Sequence, residues 1–198
     1  MDEYKQNKVR NTLRQHTVGI AGVGGLGSNA AVALARSGIG KLILVDFDVV
    51  ETSNLNRQYY FTEYIGKYKV KVLKEIIYKI DPNVEVSIFN KRLEPGSMSC
   101  FFQEADVIIE ALDAAETKTQ FIEEIQQQLP DIPLIAASGV AGYGNMDRIT
   151  TKQLGTLYLC YDPDAKSSFD DGLMAAKVGV MANWEADIAI QILLRDVS

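Results

Sequence analysis

Cysteine and histidine are almost absent from this sequence of 198 residues. It contains two cysteines, Cys100 and Cys160, and one histidine, His16. Two cysteines cannot build the disulfide framework of a small secreted protein, and a structural zinc site needs four ligands drawn mainly from cysteine and histidine. The sequence therefore predicts a protein without a disulfide framework and without zinc.

The sequence also lacks an excess of positive charge and a long apolar segment. Its 20 Lys and Arg residues and 26 Asp and Glu residues give a formal net charge of -6, and no long basic run argues for nucleic acid. No apolar run approaches the roughly 18 residues of a membrane span, and the N-terminal segment is polar where a signal peptide is apolar. We therefore expect a cytoplasmic protein that binds neither nucleic acid nor a membrane.

A hydrophobic content of 47% and the length of the chain suit one domain, residues 1–198. Short runs rich in valine and isoleucine alternate with segments of helical periodicity, including residues 28–40, 66–80 and 172–196. The predicted strands are Thr17–Ala21, Lys41–Val45, Val84–Phe89, Asp106–Leu112 and Ile132–Ala137. This alternation predicts an α/β fold: a Rossmann-like, largely parallel sheet with helices on both faces and a C-terminal mixed extension.

The last predicted helix combines apolar and charged residues. Apolar side chains such as Val178 recur at helical spacing, and we expect the charged Lys177 and Glu185 to lie mostly off that apolar face. A polar stretch, residues 162–171, precedes this helix and is typical of a loop.

A glycine turn lies between the first predicted strand and the first predicted helix. It contains Gly22, Gly24, Gly25 and Gly27, and glycines let backbone N–H groups approach a phosphate at a helix N-terminus. Asp46 follows the second strand, 19 residues after the last of these glycines, where a carboxylate accepts hydrogen bonds from ribose hydroxyls. The pattern predicts a nucleotide site and does not choose between NAD and ATP.

Four polar residues further along the chain are candidates for phosphate and metal binding. Asn54 and Arg57 follow the second strand, and the guanidinium group is suited to clamping phosphate oxygens. Lys69 opens the next helix and is placed to reach the same phosphates. Asp113 ends the fourth predicted strand, where a carboxylate beside a triphosphate suits Mg²⁺. Taken singly, the first three residues are equally compatible with structural or solvated roles.

The segments GVGGLGS, LVDFDVVETSNLNRQ, GKYKV and IIEALD, in this order and spacing, resemble the adenylation domain of ThiF, MoeB, HesA and the ubiquitin-activating enzymes. The resemblance covers most of the chain, including GLMAAKVGVMA, which is similar to the closing helix of that family. The short chain and the phrase SGVAGYGN resemble the zinc-less ThiF type of thiamine biosynthesis.

This resemblance implies an ATP-dependent adenylyltransferase that activates the C-terminal glycine of a ubiquitin-like sulfur-carrier protein ending in Gly-Gly. It implies that Gly25 and Asp46 contact the nucleotide and that Asn54, Arg57 and Lys69 bind its phosphates. It also implies a homodimer as the working assembly.

The resemblance further assigns Mg²⁺ to Asp113 and leaves two questions open. Cys160 lies in the polar loop region where relatives keep a reactive cysteine, and we predict either a catalytic thiol or an ordinary small side chain at a strand end, whereas Cys100 is predicted to be packed. Longer relatives supply an arginine from the N-terminal segment of the partner subunit, and Arg10 and Arg14 are candidates by residue type.

Three other functions fit parts of the pattern. A ThiF-like enzyme acting on a carboxylate of modified tRNA adenosine shares the chemistry, although the acidic net charge argues against it. An NAD-dependent dehydrogenase fits the glycine turn and Asp46 but leaves Arg57, Lys69 and Asp113 unexplained. A non-catalytic nucleotide-binding module fits if the N-terminal arginine is missing.

Overall fold

The computed structural model of the protein describes residues 3–165 and 172–195. Its helices are α1 (Glu3–Leu13), α2 (Gly25–Ser37), α3 (Lys69–Ile80), α4 (Ala115–Gln128) and α5 (Ala175–Leu193). Its strands are β1 (Thr17–Ala21), β2 (Lys41–Val45), β3 (Glu85–Phe89), β4 (Val107–Glu110), β5 (Leu134–Ser138), β6 (Thr150–Leu154) and β7 (Leu157–Tyr161). Residues 166–171 of the predicted polar loop lie outside the described residues. Across the two described ranges, no helix is long and apolar enough to cross a membrane.

Seven strands of the described chain form one sheet in the order β3-β2-β1-β4-β5-β7-β6. Neighbouring strands are parallel except β6 and β7, which form an antiparallel pair at one edge. The predicted Rossmann-like α/β fold is confirmed. The predicted C-terminal mixed extension corresponds to β6 and β7, with β7 joined in parallel to β5.

Two apolar clusters cover the two faces of the sheet. Residues of α2, α3 and α5 pack on one face with alternate strand residues such as Val18 and Ile20. On the other face α4 contributes Phe121, and Phe102 packs beside it with ring centroids 5.6 Å apart. A Cβ atom at Gly19 would lie 2.5 Å from the Phe102 ring, so glycine is what allows this ring to pack directly on β1.

The strand order places a crevice at the carboxyl edge of the sheet. From β1 the chain moves outward through β2 to β3 and then returns to add β4 and β5 on the other side of β1. Ala21, the last residue of β1, lies beside Val45 of β2 and Glu110 of β4, which are also the last residues of their strands. The loops that follow these three strands therefore meet at one point, where open α/β sheets bind ligands.

Helix α5 buries both charged residues that were expected off its apolar face. Lys177 is 2% exposed, and its Nζ donates to Asp162 Oδ2 over 2.7 Å and to the Ala141 carbonyl over 2.8 Å. Glu185 is 0% exposed, and neither of its carboxylate oxygens has a hydrogen-bond partner within the described ranges. The expectation is wrong because α5 contacts α2 as well as strands β4, β5 and β7, which leaves little of its surface to solvent.

Glu185→Gln is expected to stabilise the protein, and to do so more at alkaline than at acidic pH. Burial raises the pKa of Glu185 well above its ordinary value of 4.5, and the nearby Lys118 charge only partly opposes this. The folded state then keeps a proton that the unfolded chain loses, so stability falls as the pH rises above 4.5. Urea unfolding should show a gain in the free energy of unfolding at neutral to alkaline pH and little gain near the unfolded-state pKa.

Asp187→Asn is the matched control, because this exposed carboxylate lies on the same helix. We expect no pH-dependent gain in its free energy of unfolding. A Glu185→Gln gain that is equal at both pH values would contradict a buried protonated carboxyl.

Candidate functional site

A cleft of about 600 Å³ opens where the loops after β1, β2, β3, β4 and β5 meet. Seven of the ten candidate residues predicted from the sequence line it: Gly22, Gly24, Gly25, Asp46, Arg57, Lys69 and Asp113. The remaining three, Gly27, Asn54 and Cys160, lie outside its lining. The fold thus brings together residues that are up to 91 positions apart in the chain.

The glycine turn places backbone groups at the floor of this cleft. Gly22 has a φ of 86° and donates its N–H to the Val45 carbonyl over 2.8 Å, and a Cβ atom there would lie 2.8 Å from the Ala111 carbonyl oxygen. No described side chain caps α2, so its first N–H groups, near Gly25, remain for a ligand. Gly27 instead has a packing role, since a Cβ atom at this position would lie 2.0 Å from the Gly22 carbonyl oxygen.

Asp46 joins the glycine turn to the loop after β2. Its Oδ2 accepts the Val23 N–H over 2.8 Å, and its Oδ1 accepts the Asp48 N–H over 2.7 Å. Burial raises the pKa of Asp46 and these two backbone donors oppose the rise. Each carboxylate oxygen has more than one lone pair, so the side chain can hold the loop and still accept a ribose hydroxyl.

Arg57 lies beside the N-terminus of α2. A Cβ atom added to Gly25 would be 3.7 Å from Arg57 Cγ, and Arg57 Nη1 donates to the Ser53 carbonyl over 3.0 Å. Asn54 has a different position: its Oδ1 accepts the Glu51 N–H over 3.0 Å and closes the short helical turn Thr52–Asn54. The phosphate contacts of Arg57 and Asn54 stay predictions: Arg57 lies beside the helix N-terminus, whereas the Asn54 side-chain oxygen is used within its own loop.

Lys69 is held in the cleft by an acidic partner. Its side chain is 6% exposed at the start of α3, and Nζ donates to Asp48 Oδ2 over 2.8 Å. A lysine this well buried keeps a fixed position, so its charge can act on a ligand without the entropic cost of ordering a free side chain.

Asp113 is exposed in the cleft between β4 and α4. Within the described ranges no three Asp, Glu, His or Cys side chains are grouped as metal ligands. A single carboxylate does not suit zinc, but Mg²⁺ bound to a nucleotide commonly takes one or two protein carboxylates, with phosphate oxygens and waters completing the shell. Asp113 therefore fits Mg²⁺ carried by a nucleoside triphosphate.

Several lining residues were not predicted from the sequence. Arg92 follows β3 and stacks on Phe47, with its guanidinium carbon 3.9 Å from the ring centroid. Lys118 of α4 lines the opposite end, where its Nζ donates to the buried Glu110 Oε2 and to the Ala137 carbonyl, the latter over 3.2 Å. The sequence does contain a signal for the pair Lys118 and Glu110. A glutamate in the apolar segment IIEAL needs a cationic partner when it is buried.

The two N-terminal arginines lie at the other edge of the sheet. Arg10 and Arg14 both bind Asp81, which precedes β3, and the Arg14 carbonyl packs against Gly40 just before β2. These contacts belong to the amino edge of the strands, whereas the cleft lies at the carboxyl edge. Neither arginine therefore reaches the cleft of its own chain.

The structure agrees with the second alternative predicted for Cys160, an ordinary side chain near a strand end, and contradicts the predicted packing of Cys100. Cys160 lies near the end of β7 rather than in a polar loop and is 0% exposed, and burial raises the pKa of its thiol to about 12. Cys100 is exposed rather than packed. A catalytic thiol must ionise and be reached by its substrate, and the position of Cys160 favours neither.

Native protein treated with an aromatic disulfide reagent is expected to react at Cys100 and not at Cys160. Cys160 should react only after unfolding, because its sulfur is buried and protonated. Mass spectrometry of the labelled protein locates each adduct, with Cys160→Ser and Cys100→Ser as controls. Native labelling of Cys160 at the rate of Cys100 would contradict the buried position.

Comparison with known proteins connects this arrangement to a family. The ThiF family model matches residues 2–197. The chain is 33% identical over 181 residues to the sulfur carrier protein ThiS adenylyltransferase of Escherichia coli, covering 88% of this chain and 70% of that protein. It is 36% identical over 157 residues to the tRNA threonylcarbamoyladenosine dehydratase of Bacillus subtilis, covering 78% of this chain and 60% of that protein.

The fold also occurs in a solved structure. The Escherichia coli tRNA N6-threonylcarbamoyladenosine dehydratase in complex with AMP matches with a TM-score of 0.87 at 22% identity. The match covers 96% of this chain and 90% of that chain. At this level of identity the comparison shows a shared fold.

Proposed function

The chain belongs to the ThiF family of adenylyltransferases, and we propose that it uses ATP to activate the C-terminal glycine of a ubiquitin-like sulfur-carrier protein for thiamine biosynthesis. The observation that carries this proposal is the meeting of the glycine turn with Asp46, Arg57, Lys69 and Asp113 in one cleft. A dehydrogenase has no need of the last three residues, so the nicotinamide alternative is not supported.

We propose one direction for the nucleotide in the cleft, which the strand order supports. With the ribose on Asp46 after β2 and the triphosphate over the glycine turn after β1, the base lies towards the end of β3. Phe47 and Arg92 form the wall at that end. The α-phosphate then faces the loops after β4 and β5, which is where the second substrate must enter.

In the proposed reaction, a carboxylate oxygen of the carrier attacks the α-phosphorus of ATP. The new oxygen–phosphorus bond forms as the bond to the bridging oxygen breaks, and pyrophosphate leaves with the electron pair. No proton transfer is needed because the carboxylate is already ionised, so positioning and charge neutralisation by Arg57 and Lys69 are the contribution of the protein. When bound, Mg²⁺ neutralises phosphate charge, and Asp113 would hold it.

The second-substrate end of the cleft suits a glycine tail. Ala137, Ser138, Gly139, Val140 and Ala141 line this end, and their small side chains leave space close to the backbone. A tail ending in Gly-Gly has no side chains to occupy that space and can lie extended there. We also propose a homodimer, as the family resemblance implies.

Exchange of radiolabelled pyrophosphate into ATP tests the proposal. Exchange should require a carrier protein ending in Gly-Gly and should disappear when its terminal carboxylate is replaced by an amide. Cys160→Ser should retain carrier-dependent exchange, because no thiol takes part in the attack on phosphorus. ATP binding with no exchange in the presence of the carrier would instead indicate a non-catalytic module.

A second candidate is activation of a carboxylate on modified tRNA adenosine, which the identity to the Bacillus subtilis dehydratase favours. The formal net charge of -6 weighs against tRNA as a substrate. The two candidates separate when tRNA bearing N6-threonylcarbamoyladenosine replaces the carrier. ATP consumption that responds to this tRNA alone would overturn the carrier proposal.

A further inference from the structure

Among the residues that the structure describes, one N–H donor of Lys118 has no hydrogen-bond partner. Its ammonium group carries three N–H donors, and two of them are directed to Glu110 Oε2 and the Ala137 carbonyl. The side chain is 23% exposed and lines the cleft, whereas Glu110 is fully buried. The buried carboxylate therefore fixes the ammonium from one side and leaves one N–H for the cleft.

The position of this donor matches a charge requirement of the proposed reaction. An ionised carboxylate must approach a triphosphate of the same sign, so a cation is needed at the second-substrate end of the cleft. In the proposed binding mode, Arg57 and Lys69 lie near the phosphates of ATP. Lys91 and Arg92 follow β3, at the end of the cleft proposed for the adenine base. Among the described lining residues, Lys118 is the cation at the end formed by β4 and β5.

Among the described residues, Lys177 is the other lysine near this end, but its ammonium group already forms hydrogen bonds within the protein. Its side chain is 3% exposed, and its Nζ is bonded to the fully buried Asp162 carboxylate and the Ala141 carbonyl. It lines a smaller neighbouring pocket rather than the main cleft. Its charge therefore holds the loop after β5 against α5 and does not face the proposed substrate.

We infer that Lys118 binds the carboxylate of the acyl substrate through its remaining N–H and holds it beside the α-phosphate. The inference rests on the proposed function and adds the residue that recognises the attacking group. The N-terminal turn of α4, whose Ala115 and Thr117 also line the cleft, adds favourable partial positive charge at the same end. A carrier tail and a carboxylate on tRNA both present the chemistry that this donor recognises.

The test uses a small carboxylate on the full chain. Protein saturated with Mg²⁺ and a non-hydrolysable ATP analogue is titrated with N-acetyl-glycylglycine and, separately, with its C-terminal amide, and binding is followed by ligand-observed NMR. The acid should bind about tenfold or more tightly than the amide, and Lys118→Met should remove this preference. Lys152→Met removes the same charge from the exposed edge strand β6, outside the cleft, and should leave the preference intact.

Lys118→Met leaves the buried Glu110 without its cation, so a loss of folding must be separated from a loss of binding. The double variant Lys118→Met/Glu110→Gln removes the buried charge as well and should fold yet lack the preference for the acid. Glu110→Gln alone retains Lys118 and should therefore keep the preference for the acid over the amide. A preference that survives in the double variant, or no preference in the wild type, overturns the inference.

Binding of the ATP analogue is measured in the same samples. Its absence would overturn the proposed function, and titration of the nucleotide-free protein would still decide whether Lys118 selects a carboxylate.

Discussion

Asp113→Asn is expected to lower pyrophosphate exchange by about 10³-fold or more while leaving the fold intact, because the variant loses the carboxylate proposed to hold Mg²⁺ on the triphosphate. The side chain is exposed at the cleft, so its replacement by an isosteric amide should change the free energy of unfolding by less than about 0.5 kcal/mol. Exchange rates measured over a Mg²⁺ titration give the effect. Near-normal exchange at low Mg²⁺ would exclude Asp113 as the metal ligand.

AMP binding to the Asp113→Asn variant shows whether its nucleotide site is intact. AMP lacks the β- and γ-phosphates and needs no Mg²⁺ to bind, so its Kd should stay within about threefold of the wild-type value if only metal binding is lost. Asp131→Asn is the matched control, since this exposed carboxylate lies between α4 and β5 and outside the cleft. It should leave exchange unchanged.

The parallel core of the fold could be predicted because each buried strand is a short apolar run. The bounds of the strands Thr17–Ala21 and Lys41–Val45 agree with the structure residue for residue. The pair β6 and β7 could be predicted only as a mixed extension, because β6 is an edge strand whose residues are mostly exposed. Without a buried face it shows no alternation of apolar and polar residues, and periodicity carries no signal.

The site residues that could be predicted from the sequence are those that directly follow a strand. Asp46 and Asp113 follow β2 and β4, and parallel strands on either side of β1 necessarily bring those ends together. Arg92 and Lys118 could not be predicted in the same way, because their roles depend on contacts with Phe47 and Glu110. Such contacts depend on how side chains pack between neighbouring elements, which spacing along one chain does not show.

The charged residues of α5 show a second limit of prediction from sequence, which concerns burial on a helix. Helical periodicity identifies one apolar stripe and assumes that the rest of the helix meets water. Here α5 is covered on several sides, so Lys177 and Glu185 are buried although their spacing places them off the stripe. Cys160 of β7 is also buried beside this helix, and this burial raises the pKa of its thiol. Burial of this kind follows from tertiary packing and not from local sequence.

Arg57→Ala is expected to lower the turnover number by about 10²-fold or more, by analogy with the loss of one preorganised donor to a transition state. Arg57 lies against the N-terminus of α2, where the proposed reaction would build up charge on the phosphates as pyrophosphate begins to leave. If its guanidinium group acts on that charge, kcat and kcat/KM should fall together and KM for ATP should change little.

Arg57→Lys separates the geometry of the guanidinium group from its charge. An ammonium group keeps the positive charge but lacks the planar fork that binds two phosphate oxygens at once, so this variant should recover only part of the lost turnover. Steady-state kinetics of both variants, with ATP and carrier varied in turn, give kcat and KM separately. If Arg57→Ala raises KM for ATP and leaves kcat unchanged, Arg57 binds the nucleotide equally in the ground state and the transition state. Catalysis would then depend on Lys69 and on the Mg²⁺ proposed to bind Asp113.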